Sequence, residues 1–406
     1  MKMIAQSPKG KYFRTHGHIG NRGTGSFMTI RITLSWVLLC LFIHIPLHAA
    51  DKGSFSVKPR TNNGQKWRIG YLEGGPYINY PLHLKAIVES LAEMGWVEKV
   101  PQIPQNDPND SAAMWRWVSA NIKSDYITFV ADAYWSANWD GKELRQKIRG
   151  AVLSRLNLRK DIDLMLAMGT WAGQDLANNE HHVPTIVTST SDPVGAKIIK
   201  SAEDSGFDHL NARVDPTRYE RQIRIFHDIV GFTRLGVVYT DTVDGRAFAA
   251  LADIRKVAKE KNFEIVPCQA PFADVTQEES YQAVLKCHRE LAPKVDAFFL
   301  TVHRGVDAKR LPELLAPFFA NKVPVFSQSG SEHVQQGVLL SMAQAGFKYV
   351  AKFHAQTIAK IFNGAKPRSL DQLYMDPPRI AINTRSAEII AYDPPIEILN
   401  MADEIY

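Results

Sequence analysis

Each long apolar run of this chain ends on residues able to hold a ligand. Behind the run that closes at Tyr71 stand Glu73 and Tyr77, and behind residues 126–130 stand Tyr134 and Trp135. Behind 164–169 come Thr170 and Trp171, and behind 183–187 come Ser189, Thr190 and Asp192. Tyr239, Asp241 and Asp244, then His303 and Arg304, then Ser327, Gln328 and Glu332 hold corresponding places further along. The chemistry this set offers is recognition of a small polar molecule. Hydroxyls of Thr170 and Thr190, with neighbouring backbone N–H groups, suit a carboxylate; Glu73, Asp192 or Asp241 suit an ammonium. Burying such a zwitterion is tolerable only when both charges are paired and hydrogen-bonded. Tyr77, Tyr134, Trp135 and Trp171 either stack on a planar ligand, adding about 0.5–1.5 kcal/mol per well-placed pair, or pack lobe surfaces. Arg304 either clamps an acidic ligand with two parallel hydrogen bonds or opens a solvated helix.

Residues 188–195, Thr-Ser-Thr-Ser-Asp-Pro-Val-Gly, are expected to open a helix, where hydroxyls and backbone N–H groups seat an anion. Simple capping by Ser191 or Asp192 ahead of Pro193 is the other reading. Catalytic signatures are missing: there is no Gly-x-Ser-x-Gly elbow, no phosphate loop and no Gly-x-Gly-x-x-Gly after a strand. No enzyme, cofactor or metal is called for. His181 and His182 are placed on a surface turn.

The elements that must carry these residues alternate. Residues 164–169 run apolar into the turn 170–173, a helix, and a Val-Pro-led strand at 183–187; residues 297–301, 302–305 and 323–326 repeat the arrangement. Apolar strands alternating with helices imply parallel sheets covered on both faces. Two such units far apart imply two lobes. Ligands of open parallel sheets bind beyond the carboxyl ends of the strands, which points to a cleft between the lobes. The periodicity places helices near 82–94, 111–121, 142–156, 218–230 and 347–362, and strands near 67–71, 235–239, 263–267, 337–342 and 379–383.

At 406 residues, 45% hydrophobic and 22% charged, the chain has the composition of a soluble two-domain protein. Its net charge of +6 is confined to the leader: residues 1–50 hold Lys2, Lys9, Lys11, Arg14, Arg22 and Arg31 and no acid. Removing these six from the 48 Lys and Arg leaves a body balanced against its 42 Asp and Glu, so no nucleic-acid partner is expected. A basic stretch at 28–31, an apolar run at 32–45 and small residues at 46–50 follow the order of a secretory signal, cut near Ala49 or Ala50. An uncleaved anchor is the alternative, and Met28 is an alternative start. Cys40 sits inside the apolar run behind a bulky Leu39, which argues against lipid attachment. Cys268 and Cys287 remain, either bridged in an oxidising compartment or as two buried thiols.

An ordered set of residues carries a resemblance. Residues 191–196 (Ser-Asp-Pro-Val-Gly-Ala), Asn211, Gln222, the strand 235–239, residues 323–326 (Val-Pro-Val-Phe), the turn at Asn363 and Gly364, and Ala381 to Asn383 with Ala387 resemble the substrate-binding proteins of ABC transporters. The similar branch includes binders of tryptophan and tyrosine, and the resemblance covers about residues 67–406. It implies a type I periplasmic-binding-protein fold: two Rossmann-like α/β lobes with parallel sheets joined by a three-strand hinge. It also implies lobe I from 67–212 with 340–368, lobe II from 213–339 with 369–406, and 1–50 as extension and signal. A monomeric periplasmic protein that hands a small molecule, such as an aromatic amino acid, to ABC permease subunits follows. A periplasmic sensor using the same fold to signal to a membrane receptor is the second reading. The chain departs from the family pattern at 211–214 (Asn-Ala-Arg-Val for Asn-Val-Thr-Gly), at Asp244 and Gly245 (for Asn-Ser), at 345–349, and in the longer, more aromatic stretch 131–141. These departures fall near the expected cleft, so the family's ligand is not carried over.

Overall fold

The computed structural model describes residues 55–101, 110–342, 347–375 and 379–406. The expected signal segment, Met28 and Cys40 lie outside these residues. Among the described residues no helix is long and apolar enough to cross a membrane.

The first lobe is built on β1 (Trp67–Glu73), β2 (Ile127–Ser136), β3 (Leu164–Met168), β4 (Thr185–Thr188) and β5 (Leu210–Ala212). They form one parallel sheet in the order β2-β1-β3-β4-β5. Every residue of β3 is buried, as a strand covered on both faces requires. Helices α1 (Asn79–Glu93), α2 (Ser111–Asn121), α3 (Gly141–Leu158) and α4 (Gly169–Leu176) cover the sheet. The second lobe holds β6 (Arg234–Tyr239), β7 (Glu264–Gln269), β8 (Ala297–Leu300), β9 (Val325–Ser327) and β10 (Leu340–Met342), followed by β11 (Ile380–Ile382) and β12 (Ala402–Ile405). Their order is β12-β11-β10-β9-β8-β6-β7, parallel except where β11 meets β10. Helices α5 (Arg218–Val230), α6 (Val243–Phe248), α7 (Leu251–Lys261), α8 (Gln277–Leu291), α9 (Leu311–Ala320) and α10 (Ser331–Gln335) pack here. α11 (Lys348–Phe362) returns to the first lobe, where Val350, Ala351 and Ile358 share a core with Leu84, Ile87 and Leu91 of α1. The chain closes with α12 (Thr384–Ile389) and α13 (Ile396–Met401).

The fold class is the one expected, and the chain passes between lobes three times. The first and third passages run side by side: Val214 N–H donates to Gln372 O at 2.8 Å and Tyr374 N–H to Val214 O at 3.0 Å. The Asn211 side chain ties them further, donating from Nδ2 toward the carbonyls of Pro367, Leu370 and Asp371 at 3.2–3.3 Å. The division expected between residues 339 and 340 falls after Met342 in the sheets, because β10 pairs with β9 and β11.

Several local expectations change. The polar turn at 170–173 is the opening of α4. The helix expected from 188–195 is a run of turns: Asp192 Oδ1 accepts Gly195 N–H at 2.8 Å, and left-handed residues at Ser189 and Lys197 bracket the run. β2 continues to Ser136 past a register shift opposite Ile69 and Tyr71. His182 is exposed as expected, whereas His181 is buried, its Nε2 3.1 Å from Leu176 O. Cys268 and Cys287 are bridged, fastening β7 to α8.

Candidate ligand-binding cleft

Between the carboxyl ends of the two sheets lies a cavity of about 340 Å³ with walls from both lobes. From the first lobe, the loop after β1 brings Pro76 and Tyr77, and α1 brings Asn79, Tyr80 and His83. Trp139 follows β2, Thr170 opens α4, residues 189–191 follow β4, and α11 presents Val350 and His354. The second lobe supplies Arg218 and Tyr219 from α5, Phe248 from α6, Phe272, Gln277 at the start of α8, the loop 302–308 and Gln328 with Ser329.

Two glycines let these walls approach. A Cβ on Gly75 would stand 2.6 Å from the backbone nitrogen of Trp139, so only glycine allows that indole to fold over the β1 loop. Gly169 has φ +85°, and a Cβ there would meet the Tyr80 hydroxyl at 1.8 Å. Asn138 and Trp139 are both left-handed, which turns the chain sharply after β2.

Aromatic rings dominate the walls. Tyr77 meets Tyr80 edge-on at 5.3 Å, Trp139 meets Phe272 edge-on at 5.2 Å, and Phe347 lies 4.0 Å from the His83 ring. Arg213, Arg218 and Arg304 line the cavity with, among the described residues, one acid, Asp307, and Arg213 lies 3.7 Å from the Asp215 carboxylate. Arg304 donates to Val275 O at 2.6 Å, Trp139 O at 3.2 Å and Gln277 Oε1 at 3.2 Å, all uncharged acceptors. Burial lowers its pKa. The histidines are held neutral. Burial pushes His354 down to about 3 and His83 well below its usual range, with the Arg213 charge adding to both. His303 accepts Gly305 N–H at Nδ1 and so donates from Nε2 to Ala270 O; burial lowers it to about 4.

Seven residues singled out from the sequence line this cavity: Tyr77, Thr170, Ser189, Thr190, His303, Arg304 and Gln328. The others stand elsewhere. Glu73 is turned into the first lobe, where Tyr71, Tyr134 and Ser136 hydroxyls donate to it at 2.8–3.0 Å. Tyr134 is thereby committed to Glu73, and Trp135 carries the Arg155 guanidinium 5.4 Å from its ring centre. Asp192 closes its turn, Asp241 pairs with Arg246 at 2.5 Å, and Tyr239 is in the second lobe's core. Ser327 Oγ is 2.8 Å from His333 Nδ1. Glu332, in α10, lies outside the lining, and burial raises its pKa.

Trp171 and Asp244 form a bridge between the lobes. Trp171 Nε1 donates to Asp244 Oδ2 at 3.0 Å, Gln174 Nε2 donates to Oδ1 at 2.8 Å, and Arg145 Nη1 lies 3.7 Å from the same carboxylate. Two more bridges flank the cavity: Tyr77 OH with Ser329 Oγ at 3.2 Å, and Arg304 Nη1 with Trp139 O. These three contacts join the lobes across the cavity.

The sequence signalled Trp139 and Arg213 only through the stretches 131–141 and 211–214 placed near the cleft, and His83, His354, Arg218, Tyr219, Phe248 and Phe272 were not anticipated as lining. The spacing of Phe347, Val350 and His354, at i, i+3 and i+7, marks one helical face, and Arg213 stands where the chain leaves its family's pattern; both were usable signals.

A Vibrio cholerae structure described as a conserved domain protein superposes with a TM-score of 0.63 at 18% identity, covering 84% of this chain and 100% of its own. A Streptococcus pneumonia ABC domain in complex with L-Trp gives 0.63, 18%, 84% and 100% for the same quantities. A ligand-free, open substrate binding protein with adhesive properties from Clostridium difficile gives 0.54, 18%, 84% and 99%. At such identity the likeness is one of fold, that of type I periplasmic binding proteins. Among curated proteins nothing matches. The family described as ABC transporter substrate binding protein matches residues 136–405, from the end of β2 through β12. That span takes in most of both cavity walls, and the chain belongs to the ABC transporter substrate-binding proteins.

Proposed function

We propose that this protein captures a small molecule with a flat, apolar body between its lobes and hands it, outside the cytoplasm, to the permease of an ABC transporter. The observation that carries this reading is the aromatic cavity itself, whose walls come from both lobes and whose rim is bridged at three places. Tyr77, Tyr80, Trp139, Tyr219, Phe248 and Phe272 offer ring faces and edges to a planar guest. In this reading the three interlobe bridges couple binding to shape: ligand shifts the open–closed balance by its extra affinity for the closed form. The leader supports export, and the closed form would present both lobes to a permease together.

Small-angle scattering of the chain from Asp51 tests the reading, run with a panel of aromatic amino acids, aromatic acids and their neutral analogues. A saturating ligand is expected to reduce the radius of gyration and raise the melting temperature. Binding that leaves the radius of gyration unchanged would place the ligand outside the cleft and contradict the reading, as would silence across the panel.

A further inference from the structure

Resting on that reading, we infer that the cavity takes an aromatic carboxylic acid bearing no ammonium group, and that Thr190 and His354 hold its carboxylate. An amino-acid ligand needs an acid to meet its ammonium, because an unpaired buried cation is prohibitively costly. Among the described residues the cleft offers one acid, Asp307, and none on the wall that carries Thr190 and His354. Glu73 is sealed beneath three hydroxyls, Asp192 is spent on Gly195 N–H, and Asp241 is paired with Arg246. Asp307, the one lining acid among the described residues, accepts Lys309 N–H at 2.9 Å and caps the turn at Ala308–Arg310.

Two lining side chains are left ready to receive an anion. Thr190 Oγ1 is buried without a partner, and His354 is fully buried with neither ring nitrogen bonded. Both line the cavity. Leaving such groups unsatisfied is costly in an interior, and a ligand able to accept from them removes the cost. On the same wall, His83, whose Nδ1 is 3.2 Å from Thr188 Oγ1, feels the charges of His354, Arg213 and Arg218, and the Arg213 charge also bears on His354. A carboxylate held there would accept from the threonine hydroxyl and the His354 N–H, with Arg218 and the Asp215-paired Arg213 also lining the cavity. The rings would enclose its aromatic body.

Matched ligands decide the matter by titration calorimetry on the chain from Asp51. Indole-3-propionate would be compared with L-tryptophan, tryptamine and indole-3-propionamide, and 3-phenylpropionate with L-phenylalanine. The acid is expected to bind at least about tenfold tighter than the amino acid or the amide, with no binding of the amine. Thr190→Val, close to isosteric, is expected to cut the acid's advantage over its amide by about tenfold, and His354→Leu likewise if it folds by circular dichroism. An amino acid binding as tightly as its acid, or an unchanged acid-to-amide ratio in Thr190→Val, would overturn this inference and leave the proposed function standing. Failure of every aromatic compound to bind would overturn both.

Discussion

Asp244 is the place where closure can be perturbed without disturbing either lobe's core. In Asp244→Ala, the hydrogen bonds from Trp171 and Gln174 and the attraction of Arg145 are lost. Hydrogen bonds to a charged group contribute about 1.5–3 kcal/mol each. The Asp244 side chain is 24% exposed, and in an open form water would solvate it, so the net loss is smaller than two full bonds. About 2 kcal/mol is a reasonable net figure, which is about a 30-fold shift from closed toward open. Arg145 keeps Asp175 at 2.9 Å, so no buried charge is orphaned. Ligand affinity should therefore fall by about 30-fold, because only the closed population binds fully. The melting temperature of the ligand-free protein should barely move. Calorimetry with the tightest ligand, paired with a thermal melt, reads both quantities. Unchanged affinity in a folded Asp244→Ala protein would refute the assignment of this bridge as a closure contact.

Three further outcomes are expected. Reducing the Cys268–Cys287 bridge, which closes a loop of sequence separation 19, should cost about 3 kcal/mol of stability by loop entropy, seen as an earlier denaturant midpoint. Asp253 is pushed up to about 7 by burial, with Asp192 and Glu220 adding repulsion. Its folded pKa lies above the unfolded value of about 3.9, so the native state binds the proton more tightly, and stability falls as pH rises from about 4 to 7. Asp253→Asn should flatten that slope and stabilise the protein at pH values above about 7, by up to about 4 kcal/mol; a melt at several pH values checks it. Gly169→Ala should destabilise by about 2 kcal/mol or more, since it combines a left-handed backbone with a collision on Tyr80; an unchanged melting temperature would count against that packing.

The architecture was legible because parallel strands buried on both faces leave continuous apolar runs. β3 and β8 stand out in the sequence for that reason, and their polar ends pointed to the cleft. Which strand-end side chains reach the cavity was harder to read. Trp135 and Trp139 are chemically equivalent in sequence, yet β2 runs on to Ser136 and holds Trp135 against Arg155. The left-handed pair that follows swings Trp139 over the loop. Glu73 looked like a partner for an ammonium, but hydroxyls at Tyr71, Tyr134 and Ser136 converge on it from two strands, and that convergence has no local signature. The face of α11 that holds His354 became relevant only once the second passage between lobes had carried that helix back beside α1.

Interlobe distance with and without ligand tests the central claim most directly. The chain from Asp51 has its two cysteines bridged, so spin labels at Lys147→Cys and Lys259→Cys, on exposed positions of α3 and α7, report one distance across the cleft. Pulsed dipolar spectroscopy should give a longer, broader distribution in the stripped protein and a single shorter one at saturating ligand. Identical distributions in both samples, with binding confirmed by calorimetry, would contradict capture by closure of the lobes.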